Sequence, residues 1–137
     1  MSRPPLLATP RTPFGAYMHR YRRQHRLMQC ELADLMGISG SYLCAMETGR
    51  REPPSGNTLD QIAAAMQLDA AQRDAMIVAA EQSRRKVLLP LQTTIDEYAL
   101  FYSLLRRAGK LPPKTIASIR AILEHGEMRQ TIAPHLG

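Results

Sequence analysis

Tryptophan is absent from the 137-residue chain, phenylalanine occurs twice and tyrosine five times. A core must therefore rest on Leu, Ile, Met and Ala. Cysteine occurs only twice, at Cys30 and Cys44, which excludes a disulfide framework and makes the reducing cytoplasm the expected compartment. His19, His25, His125 and His135 stand near no paired cysteine at ligand spacing, so neither a metal site nor a cofactor is expected. No apolar run approaches the roughly 18 residues needed to span a bilayer. The proline-broken start, Pro4-Pro5-Leu6-Leu7, lacks the charged-then-apolar pattern of a signal peptide. No nucleophile is paired with a base and an orienting acid, so the chain is not expected to be an enzyme.

Lysine is also scarce, at three residues against 15 arginines. The formal net charge is +6, and it is unevenly spread. Residues 1–51 carry eight arginines against three acids, a net of +5, while residues 52–137 carry ten bases against nine acids. Such asymmetry points to a polyanionic partner, although a solvated basic surface would read the same way. Hydrophobic residues make up 45% of the chain, which is ordinary for a folded protein.

Residues 1–12 read as a flexible basic arm holding Arg3 and Arg11. Phe14, Tyr17, Met18 and Tyr21 then recur at i, i+3, i+4 and i+7, one face of a helix ending near Arg26. A short helix fits Gln29 to Met36, burying Leu32, Ala33 and Leu35, and Gly37 stops it. Ser39 caps a third helix reaching Glu47. A fourth runs from Thr58 to Met66. Asp69 and Gln72 have capping-box spacing for a fifth, which carries Met76, Ile77, Ala79 and Ala80. The apolar run Val87-Leu88-Leu89-Pro90-Leu91 is unusual for a linker and is expected to pack on something. Thr94 and Glu97 box the start of a helix to Ala108. Pro112-Pro113 opens another, ending near Gly126. No period-2 alternation appears, so the class is all-α. The expected layout is an arm (1–12), a five-helix domain (13–85) and a C-terminal helical hairpin (86–137).

The stretch from Leu27 to Pro53 carries the functional signal. Two short helices joined by a glycine turn make a helix-turn-helix. Ala33 is small where the helices cross, and Ile38 and Leu43 lock the second helix. The chain here resembles the Cro/phage-repressor (xenobiotic-response-element) family of helix-turn-helix transcriptional regulators. The matching residues are Gln29, Leu32-Ala33, Gly37-Ile38-Ser39, Ser41-Tyr42-Leu43, Glu47-x-Gly49-Arg50-Arg51, Pro53 and Leu59-x-x-Ile62-Ala63. The likeness covers roughly residues 13–80 and no part of the last 50.

The resemblance implies a recognition helix starting at Ser39 and lying in the major groove of double-stranded DNA. Ser39, Gly40, Ser41, Cys44 and Ala45 would face the bases. Gln29, Tyr42, Arg50, Arg51, Arg3 and Arg11 would meet phosphates or groove edges. Arg22 and Glu47 would form a structural ion pair. The base-facing candidates are all small, and none is the long Arg, Gln or Asn that bonds a base in bidentate fashion. Two half-buried cysteines are expected to be inert rather than redox sensors.

The C-terminal helices are apolar over much of their circumference and cannot remain solvated. Tyr98, Phe101, Tyr102, Leu105, Ile116, Ile119 and Leu123 are therefore candidates for pairing with a second copy, with packing inside one chain as the alternative. The expected function is transcriptional regulation, as a repressor binding a two-fold operator as a homodimer. The alternative is a DNA-binding antitoxin whose C-terminal helices hold a toxin protein. No membrane partner is expected.

Overall fold

The computed structural model describes residues 10–132, with side chains through residue 126. Arg3 lies outside the described residues. Those residues form seven helices: α1 (Pro13–Gln24), α2 (Gln29–Met36), α3 (Gly40–Glu47), α4 (Asn57–Ala65), α5 (Ala70–Gln82), α6 (Ile95–Arg106) and α7 (Pro113–Ile132). No strand occurs among the described residues, so the all-α class stands. None of these helices is long and apolar enough to cross a membrane. The chain divides into two units between Val87 and Leu88.

The first unit packs α1 on α3 and α5, α2 on α3 and α4, and α4 on α5. Local sequence sets each start. Thr12 caps α1 through its side-chain oxygen, which accepts from Gly15 N at 3.0 Å, and Pro13 occupies the first turn. Asp69 and Gln72 bond reciprocally at the start of α5, at 2.8 and 2.9 Å. Between them these helices bury Phe14, Met18, Leu32, Leu43, Ile62 and Met76 completely or nearly so. Methionine and aliphatic residues fill the space that tryptophan would otherwise take.

On α2 the buried residues are Leu32, Ala33 and Met36, and Leu35 is exposed. At about 100° per residue, Leu32, Ala33 and Met36 fall within one sector and Leu35 points away from it. The tyrosines of α1 divide their roles. Tyr21 is buried and its hydroxyl donates to Met66 O at 3.0 Å. Tyr17 is only half-buried and donates to Gln72 O at 2.9 Å. Burial is the chief cause holding the Tyr17 phenol above its ordinary 10.0; Asp69 and Tyr21 add to the rise, and Arg20 opposes it.

In the second unit, Thr94 and Glu97 form a capping box at α6, at 2.8 and 3.1 Å. Gly109 takes positive φ just past that helix. Helix α7 runs through Gly126 to Ile132, so the expected stop at Gly126 is wrong. A glycine ends a helix when it adopts the left-handed conformation, and Gly126 is not among the positive-φ glycines. The apolar run at 87–91 is also a correction. Val87, Leu88 and Leu91 are exposed rather than packed. Among the described residues, no residue of the second unit is buried.

Candidate nucleic-acid interface

Helix α2 ends where Gly37 adopts φ 74°. The Gly37 and Ile38 amides then bond back to Asp34 O and Ala33 O, at 3.1 and 3.0 Å. This turn releases the chain into Ser39, whose hydroxyl accepts from Tyr42 N at 3.1 Å and starts α3. Helix α3 sinks Leu43, Met46 and Glu47 into the core. Its opposite face carries exposed Ser39 and Ser41, with Gly40, Tyr42, Cys44 and Ala45 half-buried.

Ser39, Ser41, Tyr42, Ala45 and Arg51 line one open depression on this face. The Arg51 guanidinium sits over the Tyr42 ring, 5.1 Å from its centroid, a cation–π arrangement that restrains a long side chain. Arg50 is also exposed, and its Nε donates to Thr48 Oγ1 at 3.4 Å. Cys44 is half-buried, whereas Cys30 is exposed, contrary to the expectation that both would be half-buried.

The depth of α3 is fixed by a polar knot at its last residue. Glu47 is fully buried. Its carboxylate accepts from Arg22 Nε at 3.1 Å and Arg22 Nη2 at 3.2 Å. Gln29 Nε2 donates to it as well, at 3.2 Å. Its backbone carbonyl accepts from Arg11 N at 3.1 Å. Arg11 therefore lies against α3 through its backbone, while its side chain is exposed. Gly15 lets α1 approach this point, since a Cβ there would overlap the Glu47 backbone. Helix spacing reveals no such requirement, and Gly15 was not among the sequence candidates.

The loop after α3 is held from behind. Gly49 has φ 83°, and the Arg50 and Arg51 amides both return to Ala45 O, at 2.8 and 3.1 Å. Arg85 Nη2 donates to Gly49 O at 2.7 Å. Arg84 donates to the carbonyls of Pro53 and Pro54, the latter at 2.8 Å. In the sequence, Arg84-Arg85-Lys86 reads only as a charged run ending a helix. A run of bases identifies a clamp only when its carbonyl targets are in view.

The structure thus brings Ser39, Ser41, Tyr42, Ala45 and Arg51 together, and Arg22, Gln29, Glu47 and the Arg11 backbone at a second point. Gly40 and Cys44 flank the depression without lining it. Among the described residues, no group of His, Cys, Asp and Glu could hold a metal ion. No curated protein and no solved structure matches the chain. Residues 13–76 are similar to the family model described as a helix-turn-helix domain.

Proposed function

We propose that the chain is a sequence-specific double-stranded DNA-binding transcriptional regulator, acting as a repressor on a two-fold operator as a homodimer. The observation that carries this reading is the depression on α3, where small side chains meet an arginine restrained on a tyrosine ring. Small residues let a helix sit deep in the major groove. Ser39 and Ser41 would offer hydroxyls to base edges, and Ala45 with Cys44 would meet thymine methyls. Gly40 would allow close backbone approach at the helix start.

Tyr42, Arg50 and Arg51 would hold phosphates and groove edges, with the side chains of Arg11 and Arg3 reaching beside them. Gln29 has its side-chain amide on Glu47, so its contribution to a phosphate would come through the backbone amides opening α2. The Arg22–Glu47 pair would fix the depth of α3 rather than touch DNA.

A homodimer is supported by the second unit, whose exposed side chains include Tyr98, Tyr102, Leu105, Ile116 and Leu123. Phe101 and Ile119 stand half-buried beside them. A two-fold operator calls for a self-complementary pairing surface, and repression would follow from covering a promoter. The same exposed apolar surface also suits the antitoxin alternative. A chain that is soluble and dimeric when expressed alone supports the repressor. A chain soluble only with a neighbouring gene's product supports the antitoxin.

The test of DNA binding is a salt titration on a duplex selected from a random library. Affinity should fall steeply as salt rises, because arginine–phosphate contacts release counterions. Salt-independent affinity would contradict the reading.

A further inference from the structure

We infer that Arg51 reads a guanine in the major groove rather than a phosphate, and that the Tyr42 ring positions it there. This rests on the DNA-binding reading above and assigns one of its groove-edge contacts to a base. Between Ser39 and Met46 no side chain is charged, and Glu47 is buried. The exposed face of α3 therefore has serine hydroxyls and an alanine methyl but no long donor of its own. Arg51 supplies one from the loop that follows. Its side chain lines the same depression as Ser39, Ser41, Tyr42 and Ala45, so a duplex seated on that face meets the guanidinium as well.

Two features set Arg51 apart from its neighbours. Arg22, Arg73, Arg84 and Arg85 commit N–H groups to carboxylates and carbonyls, and Arg50 Nε donates to Thr48 Oγ1. Arg51 makes no such side-chain bond among the described residues; its partner is the Tyr42 ring, 5.1 Å away. The neighbouring acid, Glu52, is engaged elsewhere, accepting from Arg85 N at 3.2 Å and standing 3.8 Å from Arg84 Nη1. The second feature is the mounting. The Arg51 amide donates to Ala45 O at 3.1 Å, and its guanidinium rests on Tyr42, so both anchors belong to α3. The side chain travels with the helix that enters the groove, and its restraint lowers the ordering cost of binding. A guanidinium presents its N–H groups as a rigid fork. Guanine alone offers two adjacent acceptors, O6 and N7, on its major-groove edge. Adenine, cytosine and thymine each leave part of the fork unmet. A phosphate can also accept the fork, but that contact requires no place in the depression. Arg50, exposed and outside the lining, suits it better.

The test is a selection on random duplexes with the full chain, followed by affinities for the enriched site carrying each of the four bases at every position of a half-site. The proteins are the wild type, Arg51→Ala, Tyr42→Phe and Tyr42→Leu. The wild type should prefer guanine at one position of each half-site. Arg51→Ala should lose about tenfold of that preference and keep the preferences elsewhere. Tyr42→Phe retains the ring and should keep the guanine preference. Tyr42→Leu retains apolar bulk without a ring face and should lower the preference about threefold at that position alone. An Arg51→Ala chain that binds every duplex more weakly by one factor, with a shallower salt dependence and the same enriched site, would overturn the inference, because a lost phosphate contact behaves that way. A guanine preference unchanged in Tyr42→Leu, or lost in Tyr42→Phe, would overturn the role of the ring. A wild type that enriches no site would remove the DNA-reading function itself, a result distinct from a phosphate-bound Arg51.

Discussion

Glu47 shows how one residue ties the functional face to the fold. Its buried carboxylate receives Arg22 and Gln29, and its backbone lies against Gly15. Removing one partner of a buried ion pair leaves an uncompensated charge, which costs about 3–5 kcal/mol. Arg22→Ala should lower the denaturation midpoint accordingly, and a loss near zero would show that Gln29 alone satisfies the carboxylate. Gly15→Ala should also destabilise, because its methyl must displace backbone rather than a flexible side chain. Tyr17 supplies a pH signature. Its raised pKa means that the unfolded chain loses the phenolic proton first. The contribution is therefore fully present below 10.0 and is lost as pH rises through the folded-state value. Urea midpoints measured across that range should fall less steeply for Tyr17→Phe than for the wild type. Equal slopes would mean that the Tyr17 environment does not favour the neutral phenol.

At the scale of elements, α3 and the loop behind it act as a mounted blade. The Ser39 hydroxyl caps α3, and Ser39→Ala should cost about 1 kcal/mol of stability, read by thermal or urea unfolding. Arg84 and Arg85 hold the loop carrying Arg50 and Arg51 through backbone carbonyls. In Arg84→Ala/Arg85→Ala, hydrogen exchange at residues 49–56 should quicken while the amides of α2 keep their protection. Unchanged exchange in the loop would show that the clamp does not restrain it. The elements that sequence made legible were those with local causes: the Ser39 cap, the Gly37 turn and the Asp69–Gln72 box. The misreadings had non-local causes. Gly126 and Gly37 are the same residue type, but only Gly37 is required by a turn to take positive φ. Leu35 fits an apolar count on α2, yet the core meets the neighbouring sector of that helix.

At the scale of the whole molecule, charge and apolar surface are divided. Most of the positive excess belongs to residues 1–51, and the exposed apolar stripe to α6. That division was legible from residue order, whereas the lining of the α3 depression was not: Gly40 and Cys44 stand beside Ser39, Ser41 and Ala45 in the sequence but only flank it. The clamp by Arg84 and Arg85 was not, because its targets are carbonyls some 30 to 36 positions away. The central claim is that the exposed face of α3 reads base edges. Its most direct test is a selection from random duplexes, run side by side with the wild type and with Ala45→Gln. The wild type should enrich a two-fold site. Ala45→Gln, with a long amide in the depression, should change the preferred base at one position per half-site and leave the spacing intact. Identical sites from both proteins, or no enriched site from either, would contradict the claim.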